Sequence, residues 1–127
     1  MIEVLLRTEA GVSKAWVRGI VERVLRAEKS HLDLSILITN DREIRKINKH
    51  FLKHDYATDV ISFDTGDLVV SVDTARRLAG ELGVPFKEEL ARYLVHGTLH
   101  LLGYDDKKKK DFKKMHRRQE AILKKVL

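Results

Sequence analysis

A chain of 127 residues with 43% apolar and 35% charged residues has room for one globular domain with one core, which argues against wholesale disorder. The absence of cysteine excludes a disulfide framework and any thiolate metal or redox centre, leaving histidine and carboxylates as the strong ligands available. The net charge of +6 is concentrated, because residues 107–127 carry ten Lys/Arg against only Asp111 and Glu120. This marks a basic C-terminal face that either binds phosphate or is simply solvated.

In chain order, Ile2–Leu6 reads as a short strand. Its first residues lack the basic start and apolar stretch of a signal peptide, so the expected location is the cytoplasm. Ser13 opens a helix with Trp16, Val17, Ile20, Val21, Val24 and Leu25 on one stripe. Leu32, Leu34, Ile36 and Ile38 alternate with Asp33, Ser35 and Leu37, the period of a strand. Asn40 and Glu43 form a capping-box pattern ahead of a helix whose inward residues are Ile44, Ile47 and Phe51. Val60–Phe63 and Leu68–Val72 form a hairpin across Asp64–Asp67. Ser71 or Asp73 caps a helix that runs through Leu82 and ends at Gly83. Phe86–Leu102 and Lys107–Val126 are two further helices. The second carries the apolar stripe Phe112, Met115, Gln119, Ile122, Leu123, Val126, expected to pack within the chain. Strands early and helices late indicate an α+β fold, with helices against a small mixed sheet. The uncharged stretch Tyr93–Tyr104 is twelve residues, too short for a membrane span of roughly 20.

The chemistry concentrates in His96-Gly97-Thr98-Leu99-His100-Leu101-Leu102-Gly103-Tyr104-Asp105-Asp106. Residues four apart share a helix face, so His96 and His100 can aim at one ion. Their helix is apolar over most of its circumference, and histidines on a buried helix need partners. Gly103 suits a left-handed residue that ends the helix and returns Asp106 towards the same point. Two histidines, a carboxylate and an open fourth position are a known catalytic zinc set. Otherwise, Asp105 and Asp106 pair with the following lysines and the histidines bond to backbone or water. His31, His50, His54 and His116 lack this spacing and read as surface or structural residues, although His116 could approach the site from the next helix. Zinc peptidases share the spacing but carry a Glu, as general base, where this chain has Gly97. Glycine cannot take a proton, so proteolysis is disfavoured.

With Thr58-Asp59-Val60-Ile61-Ser62-Phe63, Gly66-Asp67-Leu68, Met115 and Glu120, the histidine segment resembles the YbeY family from about Ile47 to Leu123. The resemblance implies a zincin-like α+β sandwich with the metal site on a central helix. It implies a metal-dependent, single-strand-specific endoribonuclease of ribosomal RNA maturation and ribosome assembly, using a metal-activated water. Its implied partners are ribosomal RNA or a ribosomal subunit, with no membrane. The expected cofactor is one divalent ion, zinc or else nickel, on His96, His100 and Asp106.

Two departures stand out. The family's third ligand is usually histidine, and Asp106 cancels one positive charge at the ion. The family also usually has an arginine where Leu52 stands, and Lys53 would substitute as a point charge. Asp59 and Asp67 are candidates to orient water or a ligand, or else serve the turn. Lys53, Lys107, Lys108, Lys109 and Lys110 are candidate RNA contacts. The alternative function is a non-catalytic, metal-stabilised RNA-binding assembly factor.

Overall fold

The computed structural model describes residues 1–127 as a mixed α/β architecture. Strand β1 (Ile2–Leu6) pairs in parallel with β2 (Leu34–Thr39), and β2 pairs in parallel with β4 (Asp67–Ser71). Strand β3 (Val60–Phe63) closes the sheet antiparallel to β4, giving the order β1-β2-β4-β3. The strand period of two places Leu34, Ile36, Ile38, Leu68 and Val70 on one face, all of them buried.

That face carries helices α1 (Lys14–Ala27), α3 (Val72–Leu82), α4 (Phe86–Leu101) and α5 (Lys109–Val126). Leu90, Leu94, Val95 and Leu99 of α4 are fully buried, so α4 is the central helix of the layer. The opposite face is only partly covered. There α2 (Asp41–Ile47) sets Ile44 and Ile47 against Ile61, Val69 and Leu37.

The caps obey the expected chemistry. Ser13 Oγ accepts from the Trp16 N–H at 3.0 Å, and Asn40 Oδ1 accepts from the Glu43 N–H at 2.9 Å. Glu43 does not complete the capping box, because its carboxylate is taken by Thr39 Oγ1 and Arg7 Nη1, each at 2.6 Å. Ser71, not Asp73, caps α3, with its Oγ 3.3 Å from the Thr74 nitrogen. Asp73 instead accepts from the Asp41 N–H.

Three expectations need correction. Phe51 is 62% exposed rather than inward. Asn48–Leu52 form a π-helical turn after α2, and Phe51 stays on the side of Ile47, edge-on to Phe63 at 5.6 Å, along a hollow of the less covered sheet face that leaves its ring open to solvent. Phe112 leaves the buried stripe of α5 and stacks on His116 at 5.9 Å, while Met115, Gln119, Ile122, Leu123 and Val126 are buried. Helix α5 starts at Lys109, because Lys107 and Lys108 still belong to the turn after the histidine segment.

Candidate metal centre

The end of α4 builds the site. Gly103 has a φ of +102°, and the Tyr104 N–H bonds to Leu99 O while the Gly103 N–H bonds to His100 O. This pair of bonds is a Schellman motif, which reverses the chain and satisfies the last carbonyls of the helix. The reversal carries Asp106 back over the final turn. Asp106 Oδ2 lies 3.3 Å from His100 Nε2 and 3.9 Å from His96 Nε2, and the two Nε2 atoms are 3.1 Å apart. Asp105 faces elsewhere and accepts from the Lys107 N–H at 3.0 Å. That bond, opposed by slight burial, holds its carboxyl below the usual range.

The tautomers depend on what each Nδ1 touches. His100 Nδ1 is 3.0 Å from Tyr104 O, a pure acceptor, so it carries the proton. His96 Nδ1 is 2.7 Å from Gln119 Oε1, and that amide is oriented because its Nε2 donates to Glu120 Oε2 at 3.0 Å. Glu120 is in turn held by both Arg92 Nε and Nη2, at 3.0 and 3.2 Å. With the Nδ1 atoms so engaged, the two Nε2 atoms face each other and a carboxylate oxygen. Atoms this close need a proton or a metal ion among them to offset the repulsion of their lone pairs, and a metal ion engages all three at once. Tetrahedral zinc with bonds of 2.0–2.1 Å sets its ligand atoms about 3.3 Å apart, close to these separations. Donation of the second ring nitrogen to a fixed oxygen is likewise what ligating histidines do. The donor set fits a divalent metal.

The three side chains are between a quarter and two-fifths exposed, which leaves one side of the cluster open to a cleft of about 530 Å³. Val60, Ser62 and Asp64 of the hairpin line it, with Asn48, Leu52, His54, Tyr56 and Lys107. Gly97 permits this arrangement. A Cβ there would meet Leu68 Cδ2 at 2.8 Å and Val60 Cγ2 at 3.0 Å, and Ser62 Oγ donates to Gly97 O at 3.2 Å. The helix lies so close to the sheet that any side chain at the peptidase Glu position would have to displace Leu68 and Val60.

The structure brings only some of the candidate residues together. His96, His100 and Asp106 converge, and Lys107 joins the cleft lining. Lys108, Lys109 and Lys110 are exposed at the start of α5, outside the cleft lining. Lys53 also lies outside it, in a left-handed conformation (φ +62°) that closes the π-helical turn. Asp59 is not on the lining and accepts from the Val60 N–H at 2.7 Å and from Thr58 Oγ1 at 3.3 Å. Asp67 begins β4 and accepts from Thr65 Oγ1 at the turn. His116 lies outside the cluster, stacked on Phe112. Spacing did not single out His54, Ser62, Asp64 or Gln119, which reach the site from other elements. The one signal for Gln119 was its place as a polar residue in the otherwise apolar stripe of α5.

Comparison with known proteins agrees with this site. The family profile described as Endoribonuclease YbeY matches residues 6–127. An Endoribonuclease YbeY of Myxococcus xanthus is 39% identical over 130 residues, covering 92% of this chain and 43% of the relative, so the chain spans under half of that protein. One from Aquifex aeolicus is 45% identical over 104 residues, covering 74% of this chain and 69% of its own. One from Porphyromonas gingivalis is 41% identical over 113 residues, covering 84% and 75%. A solution structure of a Thermotoga maritima protein superimposes with a TM-score of 0.75 at 25% identity, covering 99% of this chain and 89% of that one. By its profile match, these relatives and its histidine segment, the chain belongs to the YbeY endoribonuclease family.

Proposed function

We infer that this protein is a metal-dependent endoribonuclease that cuts single-stranded RNA during ribosomal RNA maturation and ribosome assembly. Family membership supports the reaction class. The observation that carries the reading to this chain is the convergence of two oriented imidazoles and a carboxylate at the open end of a cleft. When bound, a divalent ion supplies Lewis acidity for activating water and neutralising charge on a phosphate. We assign it as zinc, with nickel the alternative, because two imidazoles and a carboxylate suit both.

The chain's own residues do the rest. Gln119 and the Tyr104 carbonyl hold the rings in the tautomer that leaves Nε2 free. Lys107 in the cleft lining supplies positive charge for a phosphate, and His54 in the same lining offers a group to hold or move a proton. Asp59 and Asp67 are proposed to shape the hairpin that carries Ser62, and Lys53 to contribute charge beside the cleft. An open position beside a helical His pair, over a mixed sheet, supports a zincin-like classification. No helix is long and apolar enough to cross a membrane. Action on ribosomal RNA supports a cytoplasmic location.

A second reading has one specific observation in its favour. Leu52 lines the cleft where the resemblance expects arginine, which suits a metal-stabilised RNA-binding assembly factor that does not cut. Incubating purified protein with labelled single-stranded RNA decides between them. Cleavage that chelator abolishes and divalent metal restores supports the enzyme. Its absence in metal-loaded protein that still binds RNA supports the assembly factor. The double variant His96→Ala/His100→Ala should hold no stoichiometric metal, and retention of metal there would refute the site.

A further inference from the structure

On the less covered face of the sheet, α2 and the π-helical turn carry a second concentration of charge, separate from the basic C-terminus. Arg42, Arg45, Lys46 and Lys49 line a groove of about 710 Å³ together with Asp41, Asp55, Tyr56 and Ala57. The two carboxylates are already engaged. Asp41 takes Arg77 at 3.2 Å and the hydroxyls of Ser71 and Thr74 at 2.6 Å, and Asp55 takes Arg45 at 2.8 Å and Lys49 at 3.8 Å. Arg42 and Lys46 are at least partly exposed and form no ion pair. Arg42 and Lys46 stand at i and i+4 on one face of α2, and Lys49, from the π-helical turn that follows, lines the same groove.

Tyr56 belongs to both the lining of this groove and that of the metal cleft, so the two hollows adjoin at this residue. The residue is 55% exposed and its ring leans on His54, with centroids 5.5 Å apart. Its backbone is pinned, because buried Asn48 donates from Nδ2 to Tyr56 O at 3.0 Å. A fixed, exposed aromatic face between a cationic groove and a catalytic cleft has the form of a base-stacking platform.

We propose that the groove formed by Arg42, Lys46 and Lys49 grips the phosphates of a single RNA strand. Tyr56 stacks one of its bases where the strand bends into the metal cleft. The assignment rests on the endoribonuclease reading and names the surface that selects its substrate. An unpaired strand is the occupant because stacking on Tyr56 requires a base free of its complement. A lipid surface is disfavoured because the groove has only Tyr56 and Ala57 as apolar lining.

The test measures binding of labelled oligoadenylate of about twelve nucleotides, within the usual site sizes for single strands, to metal-loaded protein across a salt series, both alone and annealed to its complement. Arg42→Ala/Lys46→Ala/Lys49→Ala removes three phosphate contacts, so the slope of log affinity against log salt should fall by about 2. Tyr56→Ala should weaken single-strand binding by about 5- to 150-fold, leave the salt slope unchanged and be rescued by Tyr56→Phe. Metal content should be unchanged in every variant, because all four residues lie outside the ligand set. Equal loss on single and double strands in Tyr56→Ala overturns the stacking role. A wild-type slope in the triple variant overturns the groove, even though the protein still cleaves RNA. Wild-type protein that neither binds nor cleaves RNA overturns both this assignment and the reading beneath it. A triple variant with the wild-type slope whose binding collapses on Lys107–Lys110 neutralisation moves the track to the C-terminus.

Discussion

Replacing Gly97 with alanine sets two effects of similar size against each other. In a helix interior, alanine is favoured over glycine by about 0.8–1.0 kcal/mol. At this site the new Cβ would lie 2.8 Å from Leu68 Cδ2 and 3.0 Å from Val60 Cγ2, on strands with little freedom to yield; Leu68 is wholly buried. Overpacking of this kind costs about 1–3 kcal/mol. The expected net is a destabilisation of about 1 kcal/mol, lowering the melting temperature by about 3–5 °C. Gly80 in α3 is the matched control, because nothing lies within 4 Å of a Cβ there. Gly80→Ala should stabilise by about 0.5–1 kcal/mol. Urea unfolding of both variants measures the comparison, and the midpoints should move in opposite directions. A Gly97→Ala variant as stable as Gly80→Ala would show that the helix does not need to lie so close to the hairpin. A side chain, and with it a peptidase base, could then be accommodated at this position. Metal affinity should fall with stability in Gly97→Ala, because a shifted helix carries His96 with it.

Asp106→Asn keeps the shape but removes the charge, so metal affinity should drop with the fold intact by circular dichroism. Asp106→His should retain the ion with one more unit of positive charge, moving the acid limb of any RNA cleavage profile to lower pH; an unmoved profile would argue against this ligand. Gln119→Leu leaves the His96 tautomer unfixed and should weaken metal binding by about 10- to 100-fold, read by competition with a chelating dye. Wild-type affinity there would detach α5 from the site. Burial acts to raise the Glu120 carboxyl, but hydrogen bonds from Arg92 and Gln119 outweigh it and hold it below its ordinary 4.5. Its contribution to stability is therefore full above about pH 4.5 and is lost as pH falls through the lowered value. The difference in urea midpoint between wild type and Glu120→Gln should shrink on acidification, and a difference that grows would contradict the assignment.

Hydrophobic period, caps and histidine spacing are local properties, and the sequence by itself determined the elements that depend on them. The stripe of α1, the alternation of β2, the caps at Ser13 and Asn40, and the shared face of His96 and His100 depend on residues within a turn or two of one another. So does the reversal at Gly103, because only that residue's own φ and two nearby carbonyls enter into it. Only the tertiary structure decided which elements meet. Gln119 fixes His96 from 23 residues away, and His54 reaches the cleft from a loop with no motif of its own. Gly97 matters because of Leu68 and Val60, which its own helix does not contain. Phe51 sits beside Ile47 and Phe63 as its spacing suits, yet it is exposed because no other element covers that part of the sheet face. Asp59, Asp67 and Lys53 could be weighed in the sequence only by type, and their place outside the cleft lining is a matter of strand order and turn geometry. Contacts between distant segments depend on the summed burial of all faces at once, and no window of the sequence contains that sum.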